Sequence, residues 1–278
     1  MSEARPNIAV LRFPGMNCEE ETRRSVLAAG ASCDIFMWNG PTSKLEGYDG
    51  YVLPGGFSYQ DRVRAGAIAA KDRVVDCLYE QAEAGKPVIG ICNGAQILIE
   101  AGMVPGIRAG RVEMGLAHNI MPDRDGYYTR WTHLVVAHRR SCATAALEPA
   151  ATVPIPVAHA EGRFVTTDEG LVERLFEAGQ VVLTYGTSDG SPAAGFPDNP
   201  NGSSRNIAGI SNPSGNVVAM MPHPERSSWM FQLPANLPGE WGRRRREAAG
   251  DDAFFGPGPG LGVLSSLVRF IESKGKGV

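Results

Sequence analysis

The chain is short of several things, and each shortage excludes something. No apolar run approaches the roughly 20 residues of a membrane-spanning helix. The opening residues, Met1-Ser2-Glu3-Ala4-Arg5-Pro6, lack the basic-then-apolar layout of a signal peptide. Five scattered cysteines, an odd number, make no disulfide framework and suit a reducing cytoplasm. A net charge of −3 leaves no basic excess for nucleic acid. There is no Gly-x-x-x-x-Gly-Lys-Ser/Thr phosphate loop and no Gly-x-Gly-x-x-Gly fingerprint, so nucleotide-driven chemistry is expected elsewhere. His118, His133, His138 and Cys142 fit no helical or Cys-x-x-Cys ligand spacing, and no metal site is expected. No internal repeat is present.

What is present is an α/β alternation. Asn7 to Phe13 reads as a buried strand, Glu19 to Ala29 as a helix ending at Gly30, Cys33 to Trp38 as a second strand and Gly50 to Leu53 as a third. Ala65 to Gln81, with Ile68, Val75 and Leu78 on one side, reads as a helix; Pro87 to Ile91 reads as another strand. Strands alternating with helices predict an α/β fold, a mostly parallel sheet covered on both faces. The stretch from about Arg111 to Ala219 is richer in strands and reads as antiparallel additions to the same domain, because no linker interrupts it. A single domain over 1–278 is expected, with a probable family-variable insertion at about 227–260. That segment holds Pro234, Pro238, the run Arg243 to Arg246 and a Gly/Pro-rich stretch before a last helix, Leu261 to Ser273. Ser191 to Ser204 reads as an ordered loop. The four arginines read mainly as a solvated face.

The chemistry concentrates in two places. In Gly90-Ile91-Cys92-Asn93-Gly94 an apolar strand ends at a cysteine and a helix-like run follows; the flanking glycines would permit a sharp turn. Such an elbow lifts a nucleophile out of the backbone. A cysteine at a helix N-terminus also feels the positive end of the helix dipole, which favours thiolate. The competing reading is a buried, inert thiol. Further on, the apolar run Val217 to Met221 empties into Pro222-His223-Pro224-Glu225-Arg226. The two prolines keep His223 out of a helix. Residues two apart on an extended chain point the same way, so Glu225 can reach one ring nitrogen while the other faces a thiol.

Gly-Ile-Cys-Asn-Gly-Ala-Gln and Pro-His-Pro-Glu-Arg resemble the signatures of class I (triad-type) glutamine amidotransferases. Phe13-Pro14-Gly15-Met16-Asn17-Cys18, Pro54-Gly55-Gly56-Phe57-Ser58-Tyr59-Gln60-Asp61 and Asn199-Pro200-Asn201-Gly202-Ser203 narrow the resemblance. They are similar to the family of glutaminase subunits of phosphoribosylformylglycinamidine synthase, in purine biosynthesis. The resemblance implies the class I amidotransferase fold, with Cys92 as nucleophile, His223 as base and Glu225 as its orienting acid. It also implies oxyanion donors on the backbone of Gly56 and Asn93, with Gly55 and Gln96 in the glutamine site and His159 in a pocket wall. Ammonia would pass to a large synthetase subunit that converts formylglycinamide ribonucleotide to its amidine with ATP and Mg. A small accessory subunit is usual, and this chain itself is expected to hold no cofactor. Two alternatives stay open: a glutaminase for another synthase, or a non-catalytic, redox-sensing relative of the same fold.

Overall fold

A computed structural model describes residues 5–168 and 170–275. Eighteen strands and α-helices follow in the order β1 (Asn7–Arg12), α1 (Glu19–Ala28), β2 (Ser32–Met37), β3 (Gly50–Leu53), α2 (Arg73–Glu83), β4 (Val88–Ile91) and α3 (Asn93–Glu100). Then come β5 (Gly115–His118), β6 (Tyr128–Val136), β7 (Thr152–His159), β8 (Glu161–Val165), α4 (Leu171–Glu177), β9 (Val181–Gly186), β10 (Ile207–Ser211) and β11 (Val217–Met220). The chain ends in α5 (Gly239–Glu247), α6 (Asp251–Phe254) and α7 (Leu261–Gly275).

Nine strands form one sheet in the order β2-β1-β3-β4-β11-β10-β9-β6-β7, and β5 pairs with β8 in a separate ribbon. The strands from β2 to β11 in that order run parallel. The rest are added antiparallel. The division follows composition. Val88-Ile89-Gly90-Ile91 and Val217-Val218-Ala219-Met220 are buried at every position, the pattern of strands covered on both faces. Burying one such Ile or Val side chain contributes about 1.5–3 kcal/mol, and these strands sit at the centre of the main hydrophobic core.

The parallel arrangement places the site. β3, β4 and β11 are neighbours in register, with Leu53 opposite Gly90 and Met220 opposite Ile91. Their carboxyl ends therefore release Pro54-Gly55-Gly56, Cys92 and Pro222-His223 side by side. The carboxyl edge of an open parallel sheet is where ligands bind in such folds.

Three expectations need correction. The helix read over Ala65 to Gln81 begins only at Arg73. Asp72 caps it, its side chain accepting from Val74 N–H at 3.1 Å. The residues before it form a loop and a 3-10 turn over Ala69–Lys71. Gly66, at φ +78°, packs so closely that a Cβ would lie 2.7 Å from the Gln96 backbone, so this stretch lies against α3 instead of winding into a helix. The glycines beside Cys92 act by close approach. A Cβ on Gly94 would sit 2.0 Å from the Leu53 carbonyl oxygen and one on Gly90 2.5 Å from that of Gly94. The left-handed residue at the turn is Cys92 itself, at φ 51° and ψ −106°.

The segment at 227–260 carries more regular structure than its composition suggests, namely α5, α6 and a 3-10 turn at Met230–Gln232. It is tied to the chain after His223: Gly260 N–H donates to Ser227 O at 2.8 Å and Gln232 Nε2 to Glu225 O at 3.1 Å. Each arginine of the run has a partner within the segment. Arg243 pairs with Glu240 and Glu247, Arg244 lies over Trp241, Arg245 over Phe254, and Arg246 donates to Ala235 O. Among the described residues no helix is long and apolar enough to cross a membrane.

Candidate active site

Cys92 caps the N-terminus of α3 and its N–H donates to Met220 O at 2.8 Å, which ties the elbow to β11. A positive φ at a non-glycine residue is costly and persists where the surroundings over-determine it. Here the glycine contacts on both sides supply that constraint. The Cys92 thiol is nearly buried, donates to Ala158 O at 3.6 Å and faces a cavity of about 80 Å³, room for a small molecule and not for a nucleotide.

His223 lines the same cavity, fully buried, with Nδ1 2.5 Å from Glu225 Oε1. Its N–H donates to Pro156 O of β7 at 2.8 Å, so both halves of the sheet hold it. Burial opposes a charge on this ring. The carboxylate of Glu225 and the thiols of Cys92 and Cys18 outweigh that, and its pKa stands well above the usual histidine range. Nε2 is buried with no hydrogen-bond partner among the described residues. A Cβ on Gly55 would come 2.6 Å from the ring, so glycine there lets the imidazole lie on the loop after β3.

Gly56 forms a non-hydrogen-bonded bridge with Met16. The flanking bonds run from Phe57 N–H to Gly15 O and from Asn17 N–H to Gly55 O, which leaves the Gly56 N–H unused between them. Gly56 lines the cavity. The Asn93 side chain is fully engaged, accepting from Ser58 N–H at 2.9 Å and donating to Asp61 Oδ1 and Gln96 Oε1. Gln96 donates to Glu161 O at 2.7 Å and lines the cavity. All seven residues singled out from sequence thus lie at one end of the sheet. His159 is in the cavity wall, as expected.

Several cavity residues had no role assigned from sequence, although Cys18, Asp61 and Arg226 close family-like stretches. Cys18, in the loop before α1, is 1% exposed, with its sulfur 3.1 Å from an Arg226 nitrogen. Burial pushes its thiol pKa up. Arg226 also reaches Glu21 at 3.2 Å, bracing the His223 segment against α1. Cys18, His223 and Glu225 bring ligand-type atoms within 4.8 Å of one another. Arg226 supplies positive charge there and Glu225 is spent on His223, so the set is accounted for without an ion. Asp61 lies in a loop with positive φ at Tyr59, Gln60, Asp61 and Val63. Tyr127 packs near Phe57 at the rim, ring centroids 6.1 Å apart. The histidines at 118, 133 and 138 and Cys142 are not gathered into any metal-type cluster among the described residues.

The chain belongs to the family of CobB/CobQ-like glutamine amidotransferase domains, whose model matches residues 5–251. Within that family its similar relatives are subunits named PurQ. It is 46% identical to the phosphoribosylformylglycinamidine synthase subunit PurQ of Methanothrix thermoacetophila, over 96% of this chain and 98% of that one. It is 37% identical to the PurQ subunit of Pyrococcus horikoshii, over 95% and 98%. Among solved structures, PurLQS from Thermotoga maritima superposes with a TM-score of 0.71 at 29% identity, covering 96% of this chain and 99% of that chain.

Proposed function

We propose that this chain is the glutaminase subunit of a phosphoribosylformylglycinamidine synthase. It hydrolyses L-glutamine to glutamate and ammonia, and the ammonia goes to a synthetase subunit that makes formylglycinamidine ribonucleotide with ATP in purine biosynthesis. The observation that carries the chemistry is the convergence of Cys92 with the His223–Glu225 pair on one small cavity. The likeness to PurQ subunits carries the choice of synthase.

Glutamine's amide is a poor electrophile, and covalent catalysis divides its hydrolysis into two easier steps. The Cys92 sulfur attacks the amide carbon, and the N–H groups of Gly56 and Asn93 receive the oxyanion. His223 takes the thiol proton as the sulfur attacks, is stabilised in its charged form by its surroundings, and gives that proton to the departing ammonia. It then takes one from the water that cleaves the glutamyl thioester, releasing glutamate and the free thiol. Glu225 fixes the ring through Nδ1 and stabilises its charge. The cavity would hold glutamine; ATP and Mg belong to the synthetase, and a small accessory subunit completes the assembly in the cytoplasm.

The test is a glutaminase assay on the chain alone and reconstituted with a synthetase subunit, acceptor nucleotide and ATP. Glutamine-dependent product formation, with kcat/KM higher in the complex, is expected. The strained 57–63 loop beside Gly56 is the element docking would settle. A complex that uses added ammonia but never glutamine would refute the reading.

A further inference from the structure

Gly56 offers the cavity an N–H but has no side chain with which to aim it. The peptide that carries this N–H joins Gly55 to Gly56, so the torsions on both sides of it belong to glycines, the residues that restrict them least. Its orientation has to be fixed from outside. Its carbonyl accepts from Asn17 N–H at 3.5 Å and Cys18 N–H at 3.3 Å, long for such bonds. The grip therefore depends on the 13–18 loop staying close to the loop after β3. Two shorter bonds zip these loops together, from Phe57 N–H to Gly15 O at 3.0 Å and from Tyr59 N–H to Pro14 O at 2.7 Å.

Tyr59 closes the zipper in a costly conformation. Its φ is 52°, and Gln60 and Asp61 follow at 62° and 51°, three consecutive non-glycine residues in the left-handed region. Such a run persists only where its surroundings over-determine it. Tyr59 supplies that constraint through its side chain. Its ring lies 6.5 Å from the ring of Phe13, just after β1, and 6.2 Å from that of Trp38, just after β2. Its hydroxyl donates to Asp72 Oδ2 at 3.1 Å. Asp72 is itself fixed, because its Oδ1 caps α2 through Val74 N–H at 3.1 Å. Burial, and then the hydrogen bond to Asp72, pushes the phenol up to about 12, so it remains a donor. Tyr59 itself lies outside the wall of the Cys92 cavity.

A side chain that ties the ends of two strands and the start of a helix, and never enters the cavity, can act on the chemistry only through the backbone. We infer that Tyr59 is a positioning residue for the oxyanion site. Through its hydrogen bond to Asp72 it holds the zipped loops together, and so keeps the Gly55–Gly56 peptide turned with its N–H toward the substrate. The inference rests on the glutaminase reading and deepens it, from which groups receive the oxyanion to what holds one of them in place.

The experiment uses the reconstituted complex, with ammonia-dependent synthesis as the control for folding and assembly. Tyr59→Phe removes the hydroxyl and keeps the ring. Asp72→Ser keeps a cap for α2 and leaves nothing to accept from the phenol. Losing an oxyanion donor outright costs ~10²–10³-fold in kcat, and a donor still present but loosely aimed should cost about tenfold. Each variant should therefore lose about tenfold in kcat for glutamine, with KM changed by less than about twofold. The double variant should lose no more than the worse single one, because both changes break the same bond. Losses that multiply in the double variant would mean that the two side chains act separately, and a loss confined to KM would move Tyr59 to substrate binding; either overturns the inference. So would a lowered Tm with kcat for glutamine intact, the mark of a bond that only supports the fold. A wild-type complex that uses added ammonia and never glutamine would sink the glutaminase assignment and the inference with it, a result distinct from the others.

Discussion

The two halves of the sheet serve the site differently. In the parallel half, each reactive group stands at the end of a strand. Cys92 follows β4, Gly56 follows β3 and His223 follows β11. In the antiparallel half, β7 brings Ala158 and His159 to the Cys92 cavity although it lies at the far edge of the sheet, and Glu161 follows at the start of β8. The reactive groups end strands of the parallel half, and the wall that faces them comes from the chain beyond β6. Substitutions in the first half should strike kcat, and those on the wall built from the second should strike KM.

The largest effect tests the first half. Cys92→Ala should abolish glutamine hydrolysis, because no other group can form the thioester; ammonia-dependent synthesis by the complex is the control. Wild-type glutamine turnover in that variant would break the comparison at its root. Next, His223→Ala should cost ~10²–10⁴-fold in kcat, the usual range for an acid–base group. Glu225→Gln should cost no more than that, since it orients the ring without moving the proton. Single-turnover measurement of thioester formation would separate the two. Gly94→Val tests whether the elbow is built by packing. Its Cβ would meet the Leu53 carbonyl at 2.0 Å, so a loss of about 3 kcal/mol in denaturant unfolding is expected.

The smallest effect is the most discriminating. The Asp61 carboxyl is harder to ionise in the fold than in the unfolded chain, with a pKa of about 6 against an ordinary 3.8. Raising the pH from 3.8 to 6 therefore weakens the fold, and above 6 that penalty is fully present. Asp61→Asn should raise Tm at pH 7 by about 1–2 °C once solvent screening is allowed for. A variant less stable than wild type would mean that the site is not strained by its own charges.

The same division decided what could be read from sequence. Strands buried on both faces leave unbroken apolar runs, so β1, β3, β4 and β11 and the residues at their ends are visible in one dimension. The glycines at 90 and 94 were visible too, but their physical role was not: Gly94 avoids the Leu53 carbonyl, far off in the chain, and Gly90 the carbonyl of Gly94 across the turn. Ile68, Val75 and Leu78 keep a helical spacing across a boundary that Gly66 and Asp72 impose through tertiary contact and capping. Asp61 and Glu161 are 100 positions apart, and a single acid in a loop has no periodicity to betray it. Cys18 closes a family-like stretch in the sequence, but only the fold sets it beside Arg226.

That thiol has a practical bearing. Burial holds Cys18, Cys33, Cys77 and Cys142 toward the protonated form, since each pKa is raised. Alkylating reagents consume thiolate. Near neutral pH these four sulfurs should therefore be poor targets for a haloacetamide or a maleimide. A small electrophile that reacted at Cys92 would fill the cavity of about 80 Å³ and exclude substrate, so the rate of labelling would report whether the site is open or occupied.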